Sequence, residues 1–425
     1  MNIRSNNFWK AFGPGVLFAS TCIGVSHLVQ STRAGADFGF LLLGAIIVAN
    51  ILKFPFFEFA SRYTSATGVS IIDGYKRKGN WILIIYLLIT IPSMFIVTAA
   101  VTFVTSGLLE NLFRIGLSTD QWAAILLLIC IVILGIGKYK TLDGLLKVVG
   151  GVLLISVIVA FFSAVFHGPV EKAPDFIPKE LFAPAGIVFV IALMGWMPTA
   201  VDISTWPSLW AEARIKQTGY KPTLKETLLD FNIGYWISAV LAICFLTLGA
   251  LIIYGTGTSL SDSSPVFAHQ VISMFTEAIG KWSYYLIAIA AFSTMFSTTI
   301  TVVDGYGRAI TRTTKLLLNK TKKDSQKAFT IWAVIISFGA YLVIYKYLNN
   351  LTKLVDLATI LSFVVAPLAG YLNYKVIYSE EVGIEYRPSK GMKWLAIAGL
   401  IFLSSFTLIY FVILFNPELV TRWLE

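Results

Sequence analysis

Apolar residues run in blocks of spanning length, separated by short stretches that carry most of the charge. Eleven such blocks read as membrane helices, at about 12–36, 39–66, 81–109, 120–137, 145–167, 182–210, 230–254, 281–307, 329–348, 354–377 and 393–415. Each is near the roughly 20 residues needed to cross a bilayer core as a helix. The first block lacks a small-residue cleavage site behind a short apolar core, and a second span follows at once. It therefore reads as a retained helix, not a cleaved signal. Two blocks are interrupted, the first by Gly24-Val25-Ser26-His27 and the sixth by Met197-Pro198-Thr199. Irregular backbone at membrane depth survives only where protein or a water-lined cavity satisfies its N–H and C=O groups. Interrupted spans in corresponding positions of two halves point to the binding site of a secondary transporter.

Composition agrees with a membrane protein: 57% of residues are hydrophobic and 13% charged, with a mean hydropathy of +0.77. The cations cluster on alternate loops. Arg4 and Lys10 precede the first span, Lys76, Arg77 and Lys78 follow the second, and Lys138, Lys140 and Lys147 follow the fourth. Arg214, Lys216, Lys221 and Lys225 follow the sixth, and the loop after the eighth holds seven more, from Arg308 to Lys327. The positive-inside rule makes that side cytoplasmic, placing the N-terminus inside and the C-terminus outside, in a multi-pass protein of a bacterial-type inner membrane. Lys346 and Lys353 are the outward exceptions. The net charge of +10 follows from this bias and from attraction to anionic lipid, and calls for no nucleic acid. Cys22, Cys130 and Cys244 sit inside apolar spans without metal-ligand spacing and read as small apolar filler.

No linker or soluble domain divides the chain. Residues 12–167 and 182–377 form two five-helix halves, each opening with an interrupted span, and 393–415 is an additional helix. The expected fold is thus all-α and membrane-embedded, an inverted five-plus-five repeat of the leucine-transporter type with helices 1 and 6 broken. A periodic run at Val266–Ile279 predicts a short external helix, and Thr311 to Gln326 a basic cytoplasmic loop.

A broken helix exposes carbonyls at the end of its first half and N–H groups at the start of its second, which suit cations and anions respectively. Cys22, Ile23 and Gly24 are the expected carbonyl donors of the first break, with Ser26, His27 and Gln30 as side-chain partners. Leu193, Met194 and Gly195 take that role in the sixth, where Met197 offers a thioether, Thr199 and Ser204 hydroxyls, and Asp202 the one acid. Asp202 serves equally as a helix cap, His27 as a packed core histidine, and Met194 and Met197 as core filler. Span 8 carries Ser297-Thr298-Thr299-Ile300-Thr301 and then Asp304. Such hydroxyls often bond the carbonyl one turn back, yet they also suit a sodium site facing span 1. Span 10 adds Asp356, Thr359 and Ser362, and Trp206, Trp210 and Trp282 read as interface or packing aromatics. No Walker loop, zincin spacing or nucleophile elbow points to an enzyme or to a cofactor, and Gly305-Tyr306-Gly307-Arg308 closes a helix instead of following a strand.

At these residues the chain resembles the Nramp family of divalent-metal transporters. Residues 13–40, from Gly13-Pro14-Gly15 to Gly39-Phe40, resemble that family's first span; Asn50, Arg62, Thr67 and Gly68 its second; Met197-Pro198 its sixth; and Ser297 to Thr301 its eighth. The chemistry departs from the pattern. The family's first break is Asp-Pro-Gly-Asn, whose acid and amide bind metal; here Gly24, Val25, Ser26 and His27 occupy it. Thr199 stands for the histidine of Met-Pro-His, Ser204 for another histidine, span 3 lacks an acid and span 9 lacks arginines.

The resemblance implies a secondary transporter, with a metal cation as the leading substrate class. Substrate contacts are expected from Gly24, Ser26, His27, Gln30, Met194, Met197, Thr199, Asp202 and Thr359, with Met197 and Asp202 as metal ligands. A small organic solute, its carboxylate docked at Ser26–His27 or Thr199, is the alternative, and a non-transporting sensor a third. For the coupling ion, convergence of Thr298 and Thr301 with carbonyls near Cys22 favours Na⁺, and proximity of His27 to Asp202 favours H⁺. Asp304 is a further candidate. The proton is the preferred driver.

Overall fold

The computed structural model describes residues 12–136, 139–319, 326–347 and 350–416, with only the backbone described at 139–150. Arg4, Lys10, Lys138, Lys320, Lys322 and Lys323, counted above as cytoplasmic, lie outside the described residues, as do the side chains of Lys140 and Lys147.

The described residues form helices and connecting turns without strands. In chain order these are α1 (Pro14–Cys22), a wide-turn segment Ser26–Ser31 running into α2 (Thr32–Phe38), α3 (Leu43–Thr67), the short α4 (Ile71–Lys78), α5 (Asn80–Phe113), α6 (Thr119–Ile136) and α7 (Tyr139–His167). The second half holds α8 (Pro184–Gly195), a tight 3₁₀ turn Val201–Thr205, α9 (Trp206–Thr218), α10 (Leu224–Ile252), α11 (Ser264–Ile279), α12 (Tyr284–Leu317), α13 (Gln326–Lys346), α14 (Leu351–Ile377) and α15 (Lys390–Phe415). Among the described residues, eight helices are long and apolar enough to cross a membrane: α3, α5, α6, α10, α12 with its preceding turn, α13, α14 and α15. The first and sixth predicted spans are present as broken pairs and the fifth lies within α7.

Local signals explain most boundaries. Pro14 and Pro184 sit in the first turns of α1 and α8, where a missing N–H costs nothing. Gly68 and Gly219 close α3 and α9 in the left-handed conformation. Thr223 and Glu226 form a reciprocal capping box on α10. The short helix expected at Val266–Ile279 appears as α11, whose Ser264 hydroxyl donates to the Phe103 carbonyl at 2.8 Å. One expectation fails at Thr311. α12 continues to Leu317, because Arg308 pairs with Asp304 at 2.7 Å and Arg312 with Asp73 of α4, so the polar end of the helix is held by ion pairs.

Span 1 is seated on α10 through small residues. A Cβ on Gly15 would meet the Asp230 carbonyl at 2.0 Å, and one on Gly35 would meet the Leu246 carbonyl at 2.0 Å. Close backbone approach of this kind is how helices associate where lipid supplies no hydrophobic drive. The Asp230 carboxylate then caps the start of α1, accepting from the N–H groups of Gly13 and Gly15 at 3.1 and 2.6 Å. Outward apolar side chains such as Leu88, Phe338, Trp394 and Leu408 remain exposed on the bundle exterior, as expected of a lipid-facing surface.

Candidate functional site

The first break is narrower than its sequence suggests. α1 ends at Cys22, Ile23 leaves helical geometry, and the Gly24 N–H turns back to the Cys22 carbonyl at 2.9 Å. Helix resumes at Val25, so Ser26 and His27 are helical and the expected break at Gly24–His27 contracts to Ile23–Gly24. The N–H groups of both His27 and Leu28 return to the Gly24 carbonyl, at 3.1 and 3.0 Å. Cys22 and Gly24 therefore have little carbonyl capacity left for a ligand. The remaining oxygens face α12, where Thr298 Oγ1 lies 3.0 Å from the Ser20 carbonyl and 3.4 Å from that of Ile23. Gly24 permits the approach: a Cβ there would sit 2.9 Å from Thr298 Cγ2.

The sixth span breaks where expected. α8 stops at Gly195, the chain passes through a cis Met197–Pro198 peptide, and a tight turn leads into α9. Three carbonyls converge there, those of Met194, Gly195 and Thr199, and all three accept from Lys53 Nζ, at 2.9, 2.9 and 2.8 Å. Lys53 comes from α3 and is fully buried. Thr199 stands in place of the expected Leu193 as the third carbonyl. Sequence reasoning missed Lys53, although a cation inside an apolar spanning helix is itself a signal of function.

Asp202 lies in the turn after this break, buried, and accepts from the Tyr306 hydroxyl at 3.0 Å. Its Oδ1 has no hydrogen-bond partner among the described residues.

Between the breaks lies a small cavity of about 20 Å³, lined by Val25, Ser26, Thr199, Ala200, Thr298, Val302 and neighbours from α5, from α9 and from the residues that link α8 to α9. That volume accommodates about one water. Its walls are mainly apolar, with hydroxyls at Thr21, Ser26, Thr199 and Thr298. A polar layer borders a larger hollow of about 500 Å³ lined by Arg33, Asp37, Lys179, Phe189 and Asp356 among others. In that layer Gln30 Nε2 donates to Asp356 at 3.0 Å and to Thr359 Oγ1 at 3.2 Å. Arg33 joins Asp356 at 2.7 Å and lies over the Phe189 ring.

Several expected contacts are not brought together. His27 turns toward α10, where Nε2 donates to the Ser238 carbonyl at 2.8 Å while Nδ1 pairs with the Ser26 hydroxyl at 2.7 Å. It is a packed histidine with partners other than Asp202. Met197 Sδ lies 3.8 Å from Ser31 Oγ, and neither Met197 nor Asp202 lines the cavity. Thr301 bonds the carbonyls of Ser297 and Thr298 within its own helix, at 2.9 and 3.0 Å, so it adds nothing to the oxygens facing span 1. Asp304 pairs with Arg308 and accepts from Trp210 Nε1 at 3.2 Å, away from the cavity. Ser204 accepts from Asn373 at 2.7 Å. Trp206 and Trp210 are core aromatics and Trp282 is exposed. Among the described residues no group of three His, Cys, Asp or Glu side chains is placed to hold a metal.

Two broken helices facing each other across a central cavity define a membrane transporter of the leucine-transporter-like fold. A crystal structure of the Eremococcus coleocola manganese transporter, 13% identical, superposes with a TM-score of 0.68 over 98% of this chain and 90% of its own. MhsT in complex with L-phenylalanine, 14% identical, gives 0.57 over 94% and 97%. Residues 15–413 match the model of the Nramp family, natural resistance-associated macrophage protein-like, and the chain belongs to that family. Uncharacterized protein PM0681 of Pasteurella multocida is 36% identical over 407 residues, 95% of this chain and 92% of that protein. The divalent metal cation transporter MntH of Latilactobacillus sakei is 27% identical over 283 residues, 62% of this chain and 60% of its own.

Proposed function

We propose that the protein carries a metal cation across the membrane by alternating access, the ion passing between the breaks of spans 1 and 6. The observation that carries this reading is an Nramp match over nearly the whole chain, joined to two breaks that face one small cavity. Relatives named as divalent metal cation transporters support the substrate class.

The donors on offer are carbonyls, the hydroxyls of Ser26, Thr199 and Thr298, the Met197 thioether one turn aside, and Asp202 once the break rearranges. Hard divalent cations want several oxygens, preferably anionic. One acid and neutral donors make a weak, fast-releasing site. In this reading α1–α7 and α8–α14 are the two inverted halves and α15 the added helix. Eleven crossings put the N-terminus inside and the C-terminus outside. The proton is the driver, carried by Asp202 instead of His27, whose ring nitrogens are both engaged. A second driver, Na⁺, is favoured by a specific observation: Thr298 Oγ1 and the Ser20 and Ile23 carbonyls already meet, and Na⁺ needs only oxygen ligands.

The test is uptake into proteoliposomes against a panel of divalent metals, with imposed pH and Na⁺ gradients. Saturable Mn²⁺ uptake, accelerated by an acidic exterior and insensitive to Na⁺, is expected. Acceleration by Na⁺ alone would transfer the coupling to the Thr298 site. No uptake of any divalent metal under either gradient would end the metal reading.

A further inference from the structure

The seat that a broken helix offers to a cation is filled here by the protein itself. The C-terminal end of a half-helix presents unpaired carbonyls with partial negative charge. At the end of α8 these oxygens and that of Thr199 surround Lys53 Nζ at 2.8–2.9 Å. Those are N–H···O distances, longer than the 2.3–2.6 Å at which oxygens hold a calcium-sized ion.

An ammonium has three protons and no acceptor, and the three carbonyls use all of them. Lys53 therefore has no N–H left to receive an anionic solute, which sets it apart from a lysine that recognises a carboxylate. Asp202 is the acid in the turn that follows the same break. A free cation in this seat would meet a like charge at contact distance, so the two exclude one another.

We propose that Lys53 is a tethered cation: its ammonium occupies a monovalent-cation seat at the break of span 6, and the seat admits a free cation only when that side chain withdraws. This rests on the reading of the breaks as the transport site, and it adds a condition to that reading. A metal ion can use these carbonyls only in a state where Lys53 has left them.

The test uses the purified full chain in detergent and reads thermal unfolding in chloride salts of Na⁺, K⁺, methylammonium and choline at equal ionic strength. Wild type should unfold at one temperature in all four. Lys53→Ala should unfold earlier in choline and recover about 2–4 °C in methylammonium or K⁺ at several-fold excess over the dissociation constant. Methylammonium restores the missing end of the side chain, whereas choline is too bulky for the space. If Lys53→Ala yields no folded protein, Lys53→Ser, which leaves the seat open and keeps one hydroxyl donor, is measured in the same way. A folded variant with equal unfolding temperatures in all four salts would overturn the proposal. So would a wild type that gains the same shift. Because the assay reads cation binding without transport, its failure leaves metal uptake standing, and a failure of metal uptake leaves the rescue standing.

Discussion

The breaks of spans 1 and 6 pose one physical problem, orphaned carbonyls at membrane depth, and solve it in different ways. At span 1 the gap is only Ile23–Gly24, and neutral groups close it: backbone N–H groups, the Ser26 hydroxyl on the Cys22 carbonyl at 2.7 Å, and Thr298 from α12. At span 6 the gap is longer, and a buried charge from α3 closes it. Neutral donors leave a break soft and replaceable, since each hydrogen bond nets about 1 kcal/mol. A buried ammonium leaves a break rigid until the charge moves, because removing one member of a buried charged network typically costs about 3–5 kcal/mol. The contrast makes the break of span 1 the more readily adaptable of the two and that of span 6 the more firmly held.

The largest effect should come from the lock. Lys53→Met strips three buried carbonyls of their charged donor, and should lower stability in a simple Na⁺ buffer by about 3–5 kcal/mol and abolish transport. Unfolding in detergent and uptake on the same preparation check both. Gly195→Ala comes next, since the new Cβ would stand 2.2 Å from the Thr359 carbonyl, a backbone atom that cannot step aside. A loss of about 3 kcal/mol, read by thermal unfolding, is expected.

Gly24→Ala, the matching change at span 1, should cost less, about 1–2 kcal/mol. There the added methyl meets the end of the Thr298 side chain, 2.9 Å away, which can rotate. Combining it with Thr298→Ser should recover part of the loss, a non-additivity expected of residues in contact. The smallest effect is Ser26→Ala, at about 1 kcal/mol, with uptake slowed but retained. Equal costs for Gly24→Ala and Gly195→Ala would erase the distinction between the breaks.

The sequence was most informative where chemistry repeats over many residues. Hydropathy located every long helix, and the apolar period at Val266–Ile279 located α11. It was less informative where single contacts decide. Ser26–Ser31 winds with a wider turn made of ordinary residues. Ser26 lines the cavity, and His27, about 100° further round the helix, faces α10 instead. α12 reads as ending near Arg308 because its last turns are polar, and only the partner acids Asp304 and Asp73 show why it continues. At Gly24, where the family pattern has an acid, a Cβ would meet the Thr298 side chain at 2.9 Å, so a larger side chain there requires Thr298 to move. Lys53 was visible in the sequence as a cation near the middle of α3, but its three acceptors come from a break more than 140 residues away, at sequence separations of 141, 142 and 146.

The central claim is that the route runs between these two breaks, and cysteine accessibility tests it most directly. In a background free of Cys22, Cys130 and Cys244, Ala200→Cys and Val302→Cys place thiols on the cavity wall, and Ile401→Cys places one on the exposed face of α15. During Mn²⁺ uptake by proteoliposomes, a charged methanethiosulfonate should stop transport through the two cavity cysteines, with protection by excess metal, and leave the Ile401→Cys protein active. Cavity thiols that never react during turnover, or that react without slowing uptake, would contradict the account.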